Sequence, residues 1–128
     1  MDSHHYIGTI YNGNNHRNRS GKLSHDAIVD ILSRFDVQCL GTKLHQFTDD
    51  DSEQVGFTAT FTLAESHIAI HTWPEYGVCE LDVYLCNFLR DNRDRCKAIF
   101  DQICEWFEPF DLDIDVVKRR MPEMVGAR

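Results

Sequence analysis

The chain has 128 residues, of which 42% are hydrophobic and 27% charged, and its formal net charge is −8 at pH 7. This length predicts a single domain, and the acidic balance argues against binding a nucleic-acid backbone. No apolar run approaches the roughly 18 residues that a membrane-spanning helix needs. Residues 1–6 lack a basic segment followed by an apolar one, so we expect no signal peptide and a cytoplasmic protein.

Hydrophobic patterns predict the elements of the first third of the chain. Residues 5–11 are rich in β-branched and aromatic side chains and predict a strand, whereas residues 12–22 are polar and predict a loop. Ser24 is a candidate N-cap for a helix over residues 25–36. The apolar side chains of that segment recur at helical spacing, at Ile28, Ile31, Leu32 and Phe35. Residues 37–47 predict the next strand.

The middle of the chain has the clearest strand pattern. An acidic turn is predicted at residues 48–54. Over residues 55–63, apolar side chains alternate with glycine and threonine, which predicts one apolar and one polar face. Residues 66–72 are predicted to continue in extended form, until the proline and glycine of residues 73–77 break it.

The last third predicts a strand over residues 78–86, a helix over 92–107 and a final strand around 112–116, with a frayed basic tail from Lys118. Most strands adjoin in sequence, which favours an antiparallel sheet. The expected fold class is α+β, a two-layer sandwich with two helices on one face of the sheet. The uncovered face is a candidate dimer interface or site.

The five cysteines are Cys39, Cys79, Cys86, Cys96 and Cys104. Their odd number and the absence of a C-x-x-C pair argue against a disulfide scaffold and an all-cysteine zinc site. Cys96 and Cys104 lie at helical spacing with apolar neighbours and are predicted to be core residues. Cys86 falls on the polar side of its strand and is a candidate functional thiol.

The densest group of reactive side chains occupies residues 65–77, which read ESHIAIHTWPEYG. One interpretation is a strand with a polar exposed face, ended by a proline turn. A second is a metal site formed by His67, His71 and Cys86. Four residues of a strand span roughly 13 Å, however, while two ligands of one zinc ion lie only a few ångströms apart, so we predict no metal site. The third is a serine that reacts with its own backbone.

The third interpretation rests on a resemblance. The run at 65–77, together with LDVYLC at 81–86 and KLHQF at 43–47, resembles the short bacterial and archaeal S-adenosylmethionine decarboxylases. The resemblance extends over about residues 5–118. It implies a homodimeric enzyme whose pyruvoyl group, made from an internal serine, decarboxylates S-adenosylmethionine to the aminopropyl donor for spermidine synthesis.

The resemblance implies cleavage of the chain between Glu65 and Ser66. The Ser66 hydroxyl would attack the Glu65 carbonyl, and an N→O acyl shift would give an ester. Elimination of the ester leaves dehydroalanine, which hydrolyses to a pyruvoyl group and ammonia. The products would be residues 1–65 and a pyruvoyl-capped chain of residues 66–128.

Further roles follow from the same resemblance. His71 matches the histidine assigned to proton acceptance in processing, and Thr58 stands where a serine that assists processing is expected. Cys86 matches the cysteine proposed to return a proton in decarboxylation, after the substrate amine forms a Schiff base. Glu75 matches the glutamate that binds the ribose hydroxyls, and Phe47 the aromatic that stacks on adenine. Phe47 as a core residue and Glu75 as a solvated turn residue remain alternatives.

Two rival functions remain open at this point. One is a pyruvoyl-dependent decarboxylase of a basic amino acid such as arginine or ornithine, for which Glu75 and Phe47 would lose these roles. The net charge of −8 suits either cationic substrate. The other rival is a homologue that folds and dimerises but never cleaves, and that binds a ligand or regulates an active relative.

Overall fold

The computed structural model describes residues 2–88 and 90–120. These residues form a six-stranded antiparallel sheet in the order β2-β3-β4-β5-β1-β6. The strands in chain order are β1 (Ser3–Tyr11), β2 (Cys39–Thr48), β3 (Gln54–Leu63), β4 (Ser66–Trp73), β5 (Val78–Leu85) and β6 (Asp111–Arg119). The predicted α+β class with an antiparallel sheet is confirmed.

Three α-helices cover one face of this sheet: α1 (His16–Arg19), α2 (Gly21–Arg34) and α3 (Arg93–Trp106). A short 3₁₀ helix, Pro74–Tyr76, joins β4 to β5. The prediction of two helices on one face omitted α1. None of the helices in the described ranges 2–88 and 90–120 is long and apolar enough to cross a membrane.

The loop predicted over residues 12–22 was wrong, because this polar segment contains α1 and the beginning of α2. Asn15 caps α1 by accepting a hydrogen bond from the Arg17 N–H, and Ser20 caps α2. Ser24 is therefore not the N-cap. It is buried inside α2 and donates its hydroxyl to the Arg17 carbonyl, 2.8 Å away. Asparagine and serine favour helix caps as strongly as they favour loops.

The predicted extended segment of residues 66–72 is confirmed as β4, and a two-residue turn pairs its first residue, Ser66, with Leu63 of β3. The prediction that the tail frays from Lys118 was wrong, because Lys118 lies in β6 and pairs with His4 of β1. The tail beyond residue 120 lies outside the described residues. Pairing with a neighbouring strand, which local patterns do not reveal, decides the conformation of Lys118.

The core lies between the helices and alternate residues of the strands. On β3 and β5, the side chains predicted to share an apolar face are buried, among them Phe57, Phe61, Leu81 and Val83. The predicted core position of Cys96 and Cys104 is confirmed. Burial raises the pKa of the Cys96 thiol to about 11 and that of Cys104 to about 12.

The opposite face of the sheet, which we term the open face, has no helix over it within the described part of the chain. Residues paired directly across strands point to the same face, so the register assigns the side chains there. They are mainly threonine, histidine and acidic residues, as predicted: Thr9, Thr58, Thr60, Thr62, His5, His67, His71, Glu80 and Asp82. The residues of the predicted site occur at two ends of the sheet.

Candidate active site

The first end is built around Ser66, the first residue of β4, which follows the turn of Ala64 and Glu65. The backbone of Ser66 has φ 143°, a value that residues with a side chain rarely adopt. Such a conformation costs on the order of 1–3 kcal/mol and persists only where the surrounding structure enforces it. Here the pairing of Ser66 with both Leu63 and Leu85 enforces it. The strain lies directly beside the Glu65–Ser66 bond.

The carbonyl of that bond already accepts a hydrogen bond. The backbone N–H of Cys86, just after β5, donates to the Glu65 carbonyl oxygen at 2.9 Å. Attack on this carbonyl would turn its oxygen into an oxyanion, and a donor fixed in place stabilises such a charge. The structure thus brings together Glu65, Ser66 and Cys86, three of the residues named from the sequence.

The Glu65 side chain is held by two residues that the sequence analysis missed. Arg90 donates to it from Nη2 and Nε, at 2.5 and 2.9 Å from Oε1, and Asn92 donates through Nδ2 to Oε2. Burial raises the pKa of Glu65, but the hydrogen bonds from Arg90 and Asn92 outweigh it and leave the pKa below its ordinary value. No sequence motif connects these positions.

A ring cluster lies on the open face beside this end. The rings of His5 and His67 are 5.9 Å apart, and those of His5 and Tyr84 are 5.4 Å apart. Burial lowers the pKa of His5, and Asp82 at 3.9 Å only partly opposes this. The lowered pKa favours the neutral form of the His5 imidazole. Its Nε2 atom is buried with no hydrogen-bond partner among the described residues.

The second end is built around His71, near the close of β4. Thr58 faces His71 across the β3–β4 pair, and its hydroxyl is hydrogen-bonded to Nδ1 of His71. The Trp73 ring lies 6.0 Å from that of His71. Phe47 is 47% exposed and packs beside His45, so the alternative that Phe47 is a core residue was wrong.

The two ends do not meet within one chain. Ser66 and His71 are five residues apart on one extended strand, a separation of about 16 Å at roughly 3.3 Å per residue. Glu75 lies beyond His71, exposed on the 3₁₀ helix. The recess beside His71 on the open face holds only about 60 Å³. Ligand pockets usually hold roughly 300 Å³ or more, so this recess by itself is too small for a nucleoside substrate.

The strand geometry also bears on the metal interpretation. His67 and His71 both lie on β4, four residues apart. Within residues 2–88 and 90–120, no group of three or more His, Cys, Asp or Glu side chains is arranged to hold a metal ion.

Comparison with known proteins decides the family. Residues 4–120 match the S-adenosylmethionine decarboxylase family. This chain belongs to that family. The decarboxylase is 32% identical over 101 residues to the S-adenosylmethionine decarboxylase proenzyme of Syntrophomonas wolfei, which covers 79% of this chain and 76% of the relative. It is 26% identical over 105 residues to the proenzyme of Archaeoglobus fulgidus, covering 82% and 86%.

The fold of the decarboxylase also matches a solved structure. The adenosylmethionine decarboxylase from Aquifex aeolicus superposes with a TM-score of 0.80 at 23% identity, covering 100% of this chain and 98% of that one. The predicted family and fold class are confirmed, and the prediction that the chain is an S-adenosylmethionine decarboxylase is confirmed with them. The decarboxylase of a basic amino acid is not favoured.

Proposed function

We propose that this decarboxylase activates itself by cleaving the Glu65–Ser66 bond, and that the resulting pyruvoyl group serves in the decarboxylation of S-adenosylmethionine. The observation that carries the proposal is the strained backbone of Ser66 next to a carbonyl that accepts the Cys86 N–H. The relatives are named as proenzymes, which fits an enzyme that must be processed before it acts.

The cleavage follows from the groups at this end. The Ser66 hydroxyl oxygen bonds to the Glu65 carbonyl carbon, the C–N bond breaks, and the hydroxyl proton passes to the released amine. A base then removes the Ser66 α-proton, and the Glu65 carboxylate leaves from the β-carbon. Water hydrolyses the resulting dehydroalanine to the pyruvoyl group and ammonia. The Cys86 N–H stabilises the oxyanion of the first step.

The residues at the Ser66 end also fit the working cofactor. A pyruvoyl group supplies a carbonyl that takes up the substrate amine and accepts the electron pair left by the departing carbon dioxide. Cys86 is half-buried beside it and is the proton donor to the substrate α-carbon. By contrast, Cys79, Cys96 and Cys104 are buried in the core and cannot take this role.

The complete site forms between two copies of the chain. A twofold axis that brings two open faces together in opposite directions places the Ser66 end of one protomer against the His71 end of the other. The open face suits such contact because it exposes Ile7, Phe47 and Trp73. It also carries Lys43 on one side and Asp82 on the other, so charges of opposite sign can meet.

Each site then takes Glu65, Ser66 and Cys86 from one protomer and the remaining residues from its partner. The partner's His71, held by Thr58, is the base for the Ser66 α-proton. The partner's Glu75 accepts hydrogen bonds from the ribose hydroxyls, and Phe47 stacks on adenine. The two chains of each protomer would be residues 1–65 and 66–128, which remain one folded domain.

The intact mass under denaturing conditions tests the self-cleavage. We expect two fragments that divide after Glu65, the second lighter by one ammonia than a chain beginning with serine. The S66A variant should remain one chain. An unbroken wild-type chain after long incubation would contradict the proposal and leave the non-cleaving regulatory homologue.

Release of labelled carbon dioxide by the cleaved protein tests the substrate. We expect release from carboxyl-labelled S-adenosylmethionine and none from arginine or ornithine supplied at the same concentration. Release from one of the amino acids alone would overturn the proposed substrate while leaving the self-cleavage intact.

A further inference from the structure

We propose that Arg90 and Asn92 are positioning residues for the self-cleavage, which hold Glu65 so that its carbonyl stays on the Cys86 N–H while Ser66 attacks. This inference rests on the proposed cleavage at Glu65–Ser66. It adds two residues that neither the motif nor the site described above includes in the chemistry.

Arg90 is hydrogen-bonded to the Glu65 carboxylate through two of its nitrogens. Nη2 donates to Oε1 at 2.5 Å, while Nε donates to Oε1 at 2.9 Å and to Oε2 at 3.2 Å. The Glu65 side chain is 15% exposed and that of Arg90 36%. Arg90 is itself tied down, because Nη2 also donates to the Asp36 carbonyl at 3.2 Å. A fork of this kind fixes direction as well as distance.

Asn92 contacts both residues of the Glu65–Cys86 main-chain hydrogen bond. Its buried Nδ2 group donates to the Glu65 carboxylate and, at 2.9 Å, to the Cys86 carbonyl. One amide group therefore ties the residue that carries the scissile carbonyl to the residue that donates to it. Asn92 is held in turn by Asn87, whose Oδ1 accepts the Asn92 N–H at 2.8 Å, and by Arg95, which donates to its Oδ1.

Glu65 needs such support because it lies in a two-residue turn at the end of a hairpin. Attack by the Ser66 hydroxyl requires the carbonyl to be held in near-attack geometry, and a displacement of about 1 Å can cost about 100-fold in rate. The main-chain bond to Cys86 restrains the carbonyl oxygen of Glu65. The contacts of Arg90 and Asn92 with the Glu65 carboxylate, which we term the clamp, restrain its side chain as well.

The clamp also connects the two products. Cleavage makes Glu65 the last residue of the first fragment, whereas Arg90 and Asn92 belong to the second. Their contacts with the Glu65 side chain do not involve the bond that breaks. They therefore continue to hold the new chain end beside Cys86 after cleavage.

The rate of precursor cleavage in freshly purified protein tests the clamp. We expect R90A to cleave about 10- to 100-fold more slowly than wild type. R90K should recover part of the rate, since lysine restores the charge but not the fork. R93A is the matched control and should cleave within twofold of wild type, because Arg93 pairs with Asp91 rather than with Glu65.

The pH dependence separates positioning from mere stabilisation. The charges that face Glu65 are those of Arg90 and, farther away, Arg95, while Asp36 lies 4.0 Å from Nη1 of Arg90. Removing Arg90 raises the pKa of Glu65, so the loss of cleavage on acidification should begin at a higher pH in R90A. Melting of S66A and S66A/R90A measures the effect on folding in chains that cannot cleave.

The outcomes are distinguishable. If wild type never cleaves, the proposed self-cleavage fails and this inference fails with it. If wild type cleaves and R90A cleaves equally fast, with its acid limb unmoved, the inference alone is overturned. A slowing no larger than the loss of folded protein measured for S66A/R90A also overturns it.

Discussion

Ser66 combines an unfavourable backbone with the hydroxyl that we propose attacks the Glu65 carbonyl. The φ of 143° suits glycine, yet glycine has no hydroxyl to attack the Glu65 carbonyl. The chain therefore retains serine at a stability cost of about 1–3 kcal/mol. The neighbouring Cys86 N–H offers its hydrogen bond to the same peptide unit. Function and stability thus make opposite demands on this position.

The free energy of unfolding in denaturant measures that cost. Neither S66A nor S66G can cleave. We expect S66G to be more stable than S66A by about 1 kcal/mol, because the relief of backbone strain by glycine exceeds the extra chain entropy that glycine loses on folding. The control is A69G in the S66A background, on the same strand with an ordinary backbone. There glycine should destabilise by about 0.5–1 kcal/mol. Destabilisation by glycine at both positions would contradict the strain.

At the scale of elements, the packing of α3 on β1 sets the position of the clamp. Gly8 of β1 lies under Phe100 of α3, and a Cβ added there would come within 2.6 Å of the Phe100 Cζ atom. Asn92 immediately precedes α3, and Arg90 lies two residues earlier. The close approach of helix to strand therefore determines where both reach Glu65.

The G8A variant tests this contact. We expect a loss of about 1–3 kcal/mol in the free energy of unfolding in the S66A background, because the added methyl overpacks the interface. The same G8A substitution should cost less stability in an F100L chain than in a chain with Phe100, because the smaller side chain makes room for the added methyl group. A double variant whose two losses simply add would show that Phe100 is not the obstacle.

At the scale of the whole molecule, β4 separates the two halves of the site. Ser66 opens the strand and His71 lies five residues along it, so the two side chains are too far apart within one protomer to react together. The exposed apolar side chains of the open face support the same arrangement. The proposed dimer would bring the two ends of the site together.

Mixed dimers test this directly. Neither S66A nor H71A should cleave efficiently alone. When they are co-expressed, the H71A chain should be cleaved, because its Ser66 meets His71 of the S66A chain. Mass identifies which chain breaks. H71A co-expressed with S66A/H71A is the control and should remain uncleaved. No cleavage in either mixture would contradict a shared site.

Much of the site could be named from local sequence. The alternation of apolar residues over β3 and β5 predicted which side chains are buried, because a strand alternates its faces whatever surrounds it. The run at residues 65–77 supplied the family and named Ser66 as the serine of the proposed cleavage. The polar segment before α2 misled the prediction, since asparagine and serine serve caps and loops equally.

The sequence by itself determined the chemical groups of this protein and its strand faces, because these depend on residue type and local periodicity. Only the tertiary structure decided which groups meet. Arg90 and Asn92 lie 25 and 27 residues from Glu65, and the pairing of strands with the packing of α3 brings them into contact. Long-range contacts of this kind depend on the register of the whole sheet, which no local pattern specifies.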